Sequence, residues 1–329
     1  MSALAPTLEA FFTERLIHQR QASPNTVAAY RDSWRLFLAF VQERIGKQPY
    51  ELDLGDLDAG LIASFLTHLE TDRHNSARTR NARLAAIRSF FRFAALRHPE
   101  HAALIARVLD IPTKRCDRAV VCYLSEDEAT ILVSSPATDT WCGRRDQVIL
   151  AVGLQTGLRV SELAGLRNCD VELRAGAHVR CRGKGRKTRS TPLRSDSVAL
   201  LKSWMNERAG GPEDPLFPTR RGTALTRDAV GALVAKHTAT AAQRQPSLAA
   251  KRVTPHVLRH SCAMSLLRRG VDRSVVAMWL GHQQLDTVSI YLHADMSIKE
   301  RALARTRPLT VKPGRYRPRD RLLAFLDRL

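Results

Sequence analysis

Thr254-Pro255-His256-Val257-Leu258-Arg259-His260 is the stretch that organises the rest of the chain. Threonine is a good N-cap and proline suits the first helical position, so a helix is predicted to open at Pro255. His256, Arg259 and His260 then stand at i, i+3 and i+4 on one helix face. A guanidinium and two imidazoles at a helix N-terminus make a natural site for an oxyanion. Two histidines at i and i+4 also suit zinc. The glutamate of H-E-x-x-H is missing, however, and Arg259 sits where it would repel a cation, so no metal is expected.

Three other stretches carry chemistry. In Gly157-Leu158-Arg159-Val160-Ser161-Glu162-Leu163 the glycine frees the backbone, Arg159 opens a helix, and Glu162 lies three residues on, placed to orient the guanidinium. Gly183-Lys184-Gly185-Arg186-Lys187-Thr188-Arg189 is a cationic turn between the β-like runs 178–182 and 188–193, which makes a hairpin. It lacks the spacing of a P-loop, and no nucleotide cofactor is expected. Trp279-Leu280-Gly281-His282 is followed nine residues later by Tyr291, one of five tyrosines.

The chain has 329 residues and a formal net charge of +20. A charge of that sign and size points to a polyanion, nucleic acid first. It is unevenly spread. Residues 1–112 hold 14 Lys/Arg and 12 Asp/Glu, and the remainder hold 38 and 20. The change falls at Leu109–Arg118, a proline-containing stretch without helical period that reads as a linker. The N-terminal part reads as four helices. The fourth begins near Ser76 and carries Arg78, Arg80, Arg83, Arg88, Arg92 and Arg97 with no acidic residue between Asp72 and Glu100. Such a helix suits a phosphate backbone better than plain solvent, where both signs usually mix. The C-terminal part reads as mixed, with helices at 146–155 and about 195–208, 226–240, 255–269 and 273–280 around the hairpin. The expected fold class is therefore mainly α: a helical domain over 1–110, a linker over 111–122, a mostly helical domain with a small β-sheet over 123–311, and a basic and apolar tail over 312–329. No apolar run reaches the length of a membrane span, and the N-terminus lacks the pattern of a signal peptide. The six cysteines include no C-x-x-C pair and read as reduced thiols in a cytoplasmic protein.

Taken in order, Arg159, Lys184, His256-x-x-Arg259, His282 and Tyr291 resemble the tyrosine recombinase (phage integrase) family. The resemblance covers nearly the whole chain, and its N-terminal part is similar to the SAM-like core-binding domain of Xer-type recombinases. Tyr291-Leu292-His293-Ala294-Asp295 and the tail Pro313–Pro318 are similar to recombinases of bacterial mobile elements, some encoded in adjacent groups. The resemblance implies metal- and ATP-independent DNA cleavage and rejoining through a 3′-phosphotyrosyl bond. Tyr291 is then the nucleophile and His256 the base. Arg159 and Arg259 clamp the phosphate, His282 donates to it, and Glu162 orients Arg159. Lys184 protonates the leaving 5′-oxygen, with Lys187 the fallback. Arg78, Arg80, Arg83, Arg88, Arg186 and Lys187 are expected to contact DNA. Implied partners are double-stranded DNA with specific recombination sites and other protomers in a homo- or hetero-tetramer, with no cofactor and no membrane. A type IB topoisomerase shares this chemistry, and a DNA-binding protein with a dead site remains the other alternative.

Overall fold

Short polar side chains start the helices of the N-terminal part. Ser23, Asp58 and Ser76 accept from the backbone N–H groups of Thr26, Leu61 and Thr79 at 3.2, 2.7 and 3.3 Å, satisfying donors that a helix N-terminus leaves free. They open α2 (Pro24–Ile45), α3 (Ala59–Thr71) and α4 (Ala77–Ala94). The first helix, α1 (Leu4–Ala10), continues in π-helical turns over Phe11–Gln19. The computed structural model describes residues 4–116, 121–183 and 188–281. Its contacts divide the chain into two units, Met1–Arg118 and Ala119–Leu329.

The first unit buries Phe11, Trp34, Phe37, Phe65, Phe90 and Phe91 in one aromatic core, with Trp34 and Phe90 ring centroids 4.6 Å apart. Four helices are expected there, and the structure adds a fifth, α5 (Ala102–Asp110). Its nine residues are too few to be stable alone, and its N-cap residue His101 makes no side-chain cap hydrogen bond. The helix is held by burial of Ile105 and Val108 in the core, which no local start signal reports.

The second unit is helical around a small sheet. Ser125 and Glu128 form a capping box, with Ser125 N–H donating to Glu128 Oε2 at 2.8 Å and Glu128 N–H to Ser125 Oγ at 3.2 Å. It opens α6 (Glu126–Val133). The following helix, α7 (Trp141–Thr156), starts five residues before the expected Asp146, because Thr140 caps it through the Gly143 N–H at 3.0 Å. After α7 come the short α8 (Val160–Ala164) and strands β1 (Val171–Glu172), β2 (His178–Arg182) and β3 (Thr188–Pro192). The strands pair antiparallel in the order β1-β2-β3, and β1 was not legible in the sequence. Val179 opposes Thr191 and Cys181 opposes Arg189. Because side chains alternate along a strand, Arg189 and Thr191 share one face of β3. Helices α9 (Ser195–Arg208), α10 (Arg227–Ala242), α11 (Pro255–Arg268) and α12 (Arg273–Leu280) complete the described residues. Leu258 of α11 lies in the main core with Ile149 of α7, while Cys262 and Leu267 pack with Val276 and Leu280 of α12.

Candidate active site

The end of α7, the start of α8, the first turns of α11 and the end of α12 meet in the second unit. Gly157 is the hinge of this arrangement. It ends α7 at φ +62°, a left-handed conformation that favours glycine. A Cβ there would stand 2.6 Å from Leu280 Cδ2 and 3.1 Å from Cys262 Sγ. The close approach leaves its carbonyl free to accept from Arg259 Nη1 at 2.6 Å. Gly157→Ala is expected to cost roughly 2–4 kcal/mol, combining left-handed strain with overpacking. Denaturant unfolding measures this, and a loss under about 0.5 kcal/mol, the usual size of a change at an unconstrained surface position, would mean that Leu280 and Cys262 relax freely.

Arg259 is 3% exposed. Its second nitrogen, Nη2, donates to the Leu280 carbonyl at 2.7 Å. Arg159, half-buried, donates through Nη2 to the next carbonyl, that of Gly281, at 3.2 Å. The two guanidiniums therefore sit on consecutive carbonyls at the C-terminus of α12, where unpaired carbonyls and the helix dipole favour cations. Gly281 itself is left-handed at φ +65° and ends α12.

Glu162 holds Arg159 from the other side. Its Oε1 accepts from Arg159 Nη1 at 2.8 Å and its Oε2 from the Arg159 backbone N–H at 2.8 Å. The same carboxylate accepts from Arg189 Nη1 at 3.1 Å and Nη2 at 2.7 Å. Burial alone would raise the Glu162 carboxyl. Hydrogen bonds from Arg189 and Arg159, and the charge of Arg189, outweigh it and hold the group below its ordinary range.

His256 lies one turn N-terminal to His260 on α11, and the two imidazoles stack with centroids 5.6 Å apart. Partial burial, then the charges of Arg259 and Arg159, push His256 below its usual value. It is therefore neutral near pH 7 and able to accept a proton. His260 is pushed down to about 4 by burial, His256 and Arg259. Its unfolded value is near 6.5, so the unfolded state binds more protons between these limits. Stability from this group is complete above about 6.5 and is lost as pH falls toward 4. The thermal midpoint is expected to drop across that window, and to drop less in His260→Gln. Equal slopes in the two proteins would remove His260 as the cause.

Lys184, Arg186, Lys187, His282 and Tyr291 lie outside the described residues, as does the tail 312–329. The structure brings Arg159, Glu162, His256 and Arg259 together. Arg189 is the residue for which the sequence reading had no role. Its signal was its place in β3, on the inward face shared with buried Thr191.

In the first unit the arginines of α4 divide. Arg78 and Arg92 are exposed and Arg83 is half-buried. Arg80 differs from these in its exposure and partner. It is 7% exposed and donates through Nη1 to the Pro112 carbonyl at 3.0 Å. Arg88 likewise donates to the Ile111 carbonyl, and Asn81 brackets Lys114, donating to its carbonyl at 2.7 Å and accepting from its N–H at 3.1 Å. These side chains fasten residues 111–114 because the helix face they occupy turns toward that segment.

The phage integrase family matches residues 123–297, and the phage integrase N-terminal SAM-like domain matches residues 10–98. The chain is 48% identical over 328 residues to y4rC of Sinorhizobium fredii, named for an integrase/recombinase, covering 100% of this chain and 99% of the relative. It is 35% identical over 291 residues to the tyrosine recombinase XerC of Pelobacter propionicus, covering 87% and 90%. In fold it is similar to the XerH site-specific recombinase, with a TM-score of 0.71 and 23% identity over 87% of this chain and 81% of that one. Two guanidiniums fixed beside a neutral histidine thus sit in a chain that belongs to the phage integrase family, the tyrosine recombinases.

Proposed function

We propose that the chain is a site-specific DNA recombinase that cuts and rejoins strands through a 3′-phosphotyrosyl intermediate. The observation that carries this reading is the pairing of Arg159 and Arg259 on consecutive carbonyls, beside His256. Planar guanidinium forks suit the non-bridging oxygens of a phosphodiester and remain charged throughout. Charge building on a transferring phosphoryl group needs cations already in place. His256, kept neutral, takes the proton of Tyr291, a phenol whose free pKa near 10 makes it a poor nucleophile until then. His282 donates to the phosphate, and Lys184, or Lys187, protonates the leaving 5′-oxygen. The covalent bond to tyrosine conserves the phosphodiester for the return step.

The division into a helical DNA-binding domain (1–110), a linker (111–122), a catalytic domain (123–311) and a tail (312–329) goes with this reading. So do a cytoplasmic setting, assembly of protomers into a tetramer on paired recombination sites, and integration or excision of a mobile element. Exposed Arg78, together with Arg83, Arg186 and Lys187, supplies phosphate contacts. No helix among the described residues is long and apolar enough to cross a membrane.

The test is incubation of the full chain with a nicked duplex carrying the inverted-repeat DNA that flanks its gene, in EDTA and without nucleotide. A covalent protein–DNA product is expected. No covalent product on any such duplex would overturn the reading. Relaxation of a supercoiled plasmid lacking those repeats, as fast as of one carrying them, would assign a type IB topoisomerase instead.

A further inference from the structure

A phosphate-binding arginine tied to a carboxylate poses an electrostatic difficulty. A one-to-one ion pair cancels the charge that the phosphate needs. Here Glu162 is not paired one-to-one. Its two oxygens accept from Arg159 and from both terminal nitrogens of Arg189. The side chain of Glu162 is 4% exposed, that of Arg189 13% and that of Arg159 29%. One buried negative charge thus lies between two positive ones, and the surplus positive charge emerges at Arg159, the most accessible of the three.

Arg189 also packs against the turn that ends α12. A Cβ on Gly281 would stand 2.8 Å from Arg189 Nη1 and 3.2 Å from its Cδ. One side chain of β3 therefore touches both Glu162 and Gly281, while the Gly281 carbonyl holds Arg159.

We propose that Arg189 is a positioning residue for DNA strand cleavage: by binding the second side of the Glu162 carboxylate, it lets Glu162 orient Arg159 without cancelling its net positive charge. The inference rests on reading Arg159 as a phosphate ligand. The role argued for Arg189 runs through Glu162, on which both of its terminal nitrogens lie, and not through contact with the phosphate. Its effect passes through charge, and so it depends on Glu162 being ionised.

That dependence supplies the test. Single-turnover cleavage of the nicked duplex is measured for Arg189→Met, Glu162→Gln and the double variant, with a denaturation curve for each. Arg189→Met is expected to slow cleavage about tenfold or more, within the range of couplings between groups in one ion-pair network. The double variant is expected to cleave no more slowly than Glu162→Gln alone, because the carboxylate that would cancel the Arg159 charge is gone. A purely structural role predicts the opposite, with the two losses multiplying, and that result would overturn the proposal. If Arg189→Met does not fold, the double variant is expected to fold, having lost the buried carboxylate left with one cation in place of two; failure of both to fold equally rejects the proposal. Arg159→Ala separates this inference from the function it rests on. Undiminished cleavage in Arg159→Ala would reject the phosphate role of Arg159, whatever the coupling between residues 162 and 189.

Discussion

Tyr291→Phe is expected to abolish covalent attachment to DNA while leaving binding to the recombination site almost unchanged. Phenylalanine keeps the ring and removes only the hydroxyl oxygen that would form the phosphotyrosyl bond. The other groups arranged for phosphate are untouched, so affinity persists while the reaction loses its nucleophile, a loss on the order of 10⁴-fold or more for residues in that role. Tyr291 stands nine residues after His282, and the segment entering this interval is anchored where Arg259 and Arg159 hold the carbonyls of Leu280 and Gly281. Trapping on the nicked duplex gives the measurement. A covalent product from the phenylalanine variant would transfer the role to another tyrosine, Tyr316 first.

Arg159→Ala and Arg259→Ala are each expected to lower the cleavage rate by roughly 10²-fold or more, as for removal of one preorganised contact to a charged transition state. Their effects on folding should differ. Removing the Arg259 side chain strips hydrogen bonds from the Gly157 and Leu280 carbonyls. Each carbonyl left buried without a partner costs about 1–3 kcal/mol. Arg159 is more exposed, and its loss should be felt mainly in the chemistry. Lysine at either position should rescue poorly, because an ammonium cannot reproduce the bidentate fork. Rates from single-turnover cleavage, set beside denaturation curves, separate the two contributions. Wild-type rates in both lysine variants would reduce these arginines to general basic surface.

The low value of His256 and the low value of Glu162 arise from opposite balances. For the histidine, burial and the neighbouring guanidiniums act in the same direction, against the charged form. For the glutamate, burial opposes ionisation and the guanidiniums favour it more strongly. One cluster of arginines thus keeps a base neutral and a carboxylate charged, which the proposed reaction requires together.

Much of this was legible from local spacing. The helix start at Ser76, the break at Gly157, the shared face of His256 and Arg259, and the Arg159–Glu162 pair all involve residues within about one helical turn. Their geometry follows from backbone periodicity and local hydrogen bonding alone. The hairpin was legible for the same reason, from alternation around a glycine turn. Other features depended on distant packing. Helix α5 forms because a core exists to receive Ile105 and Val108. Arg80 and Arg88 look like the other arginines of α4 in sequence, and only the path of residues 111–114 decides that they turn inward. Arg259 finds its acceptors at Gly157 and Leu280, and Glu162 its second cation at Arg189, through the packing of α7, α11, α12 and β3. Sequence by itself determined which groups are present and which share a turn. The tertiary structure decided which charges compensate one another, because a charge's partners are set by the distance between elements, and local periodicity carries no information about that distance.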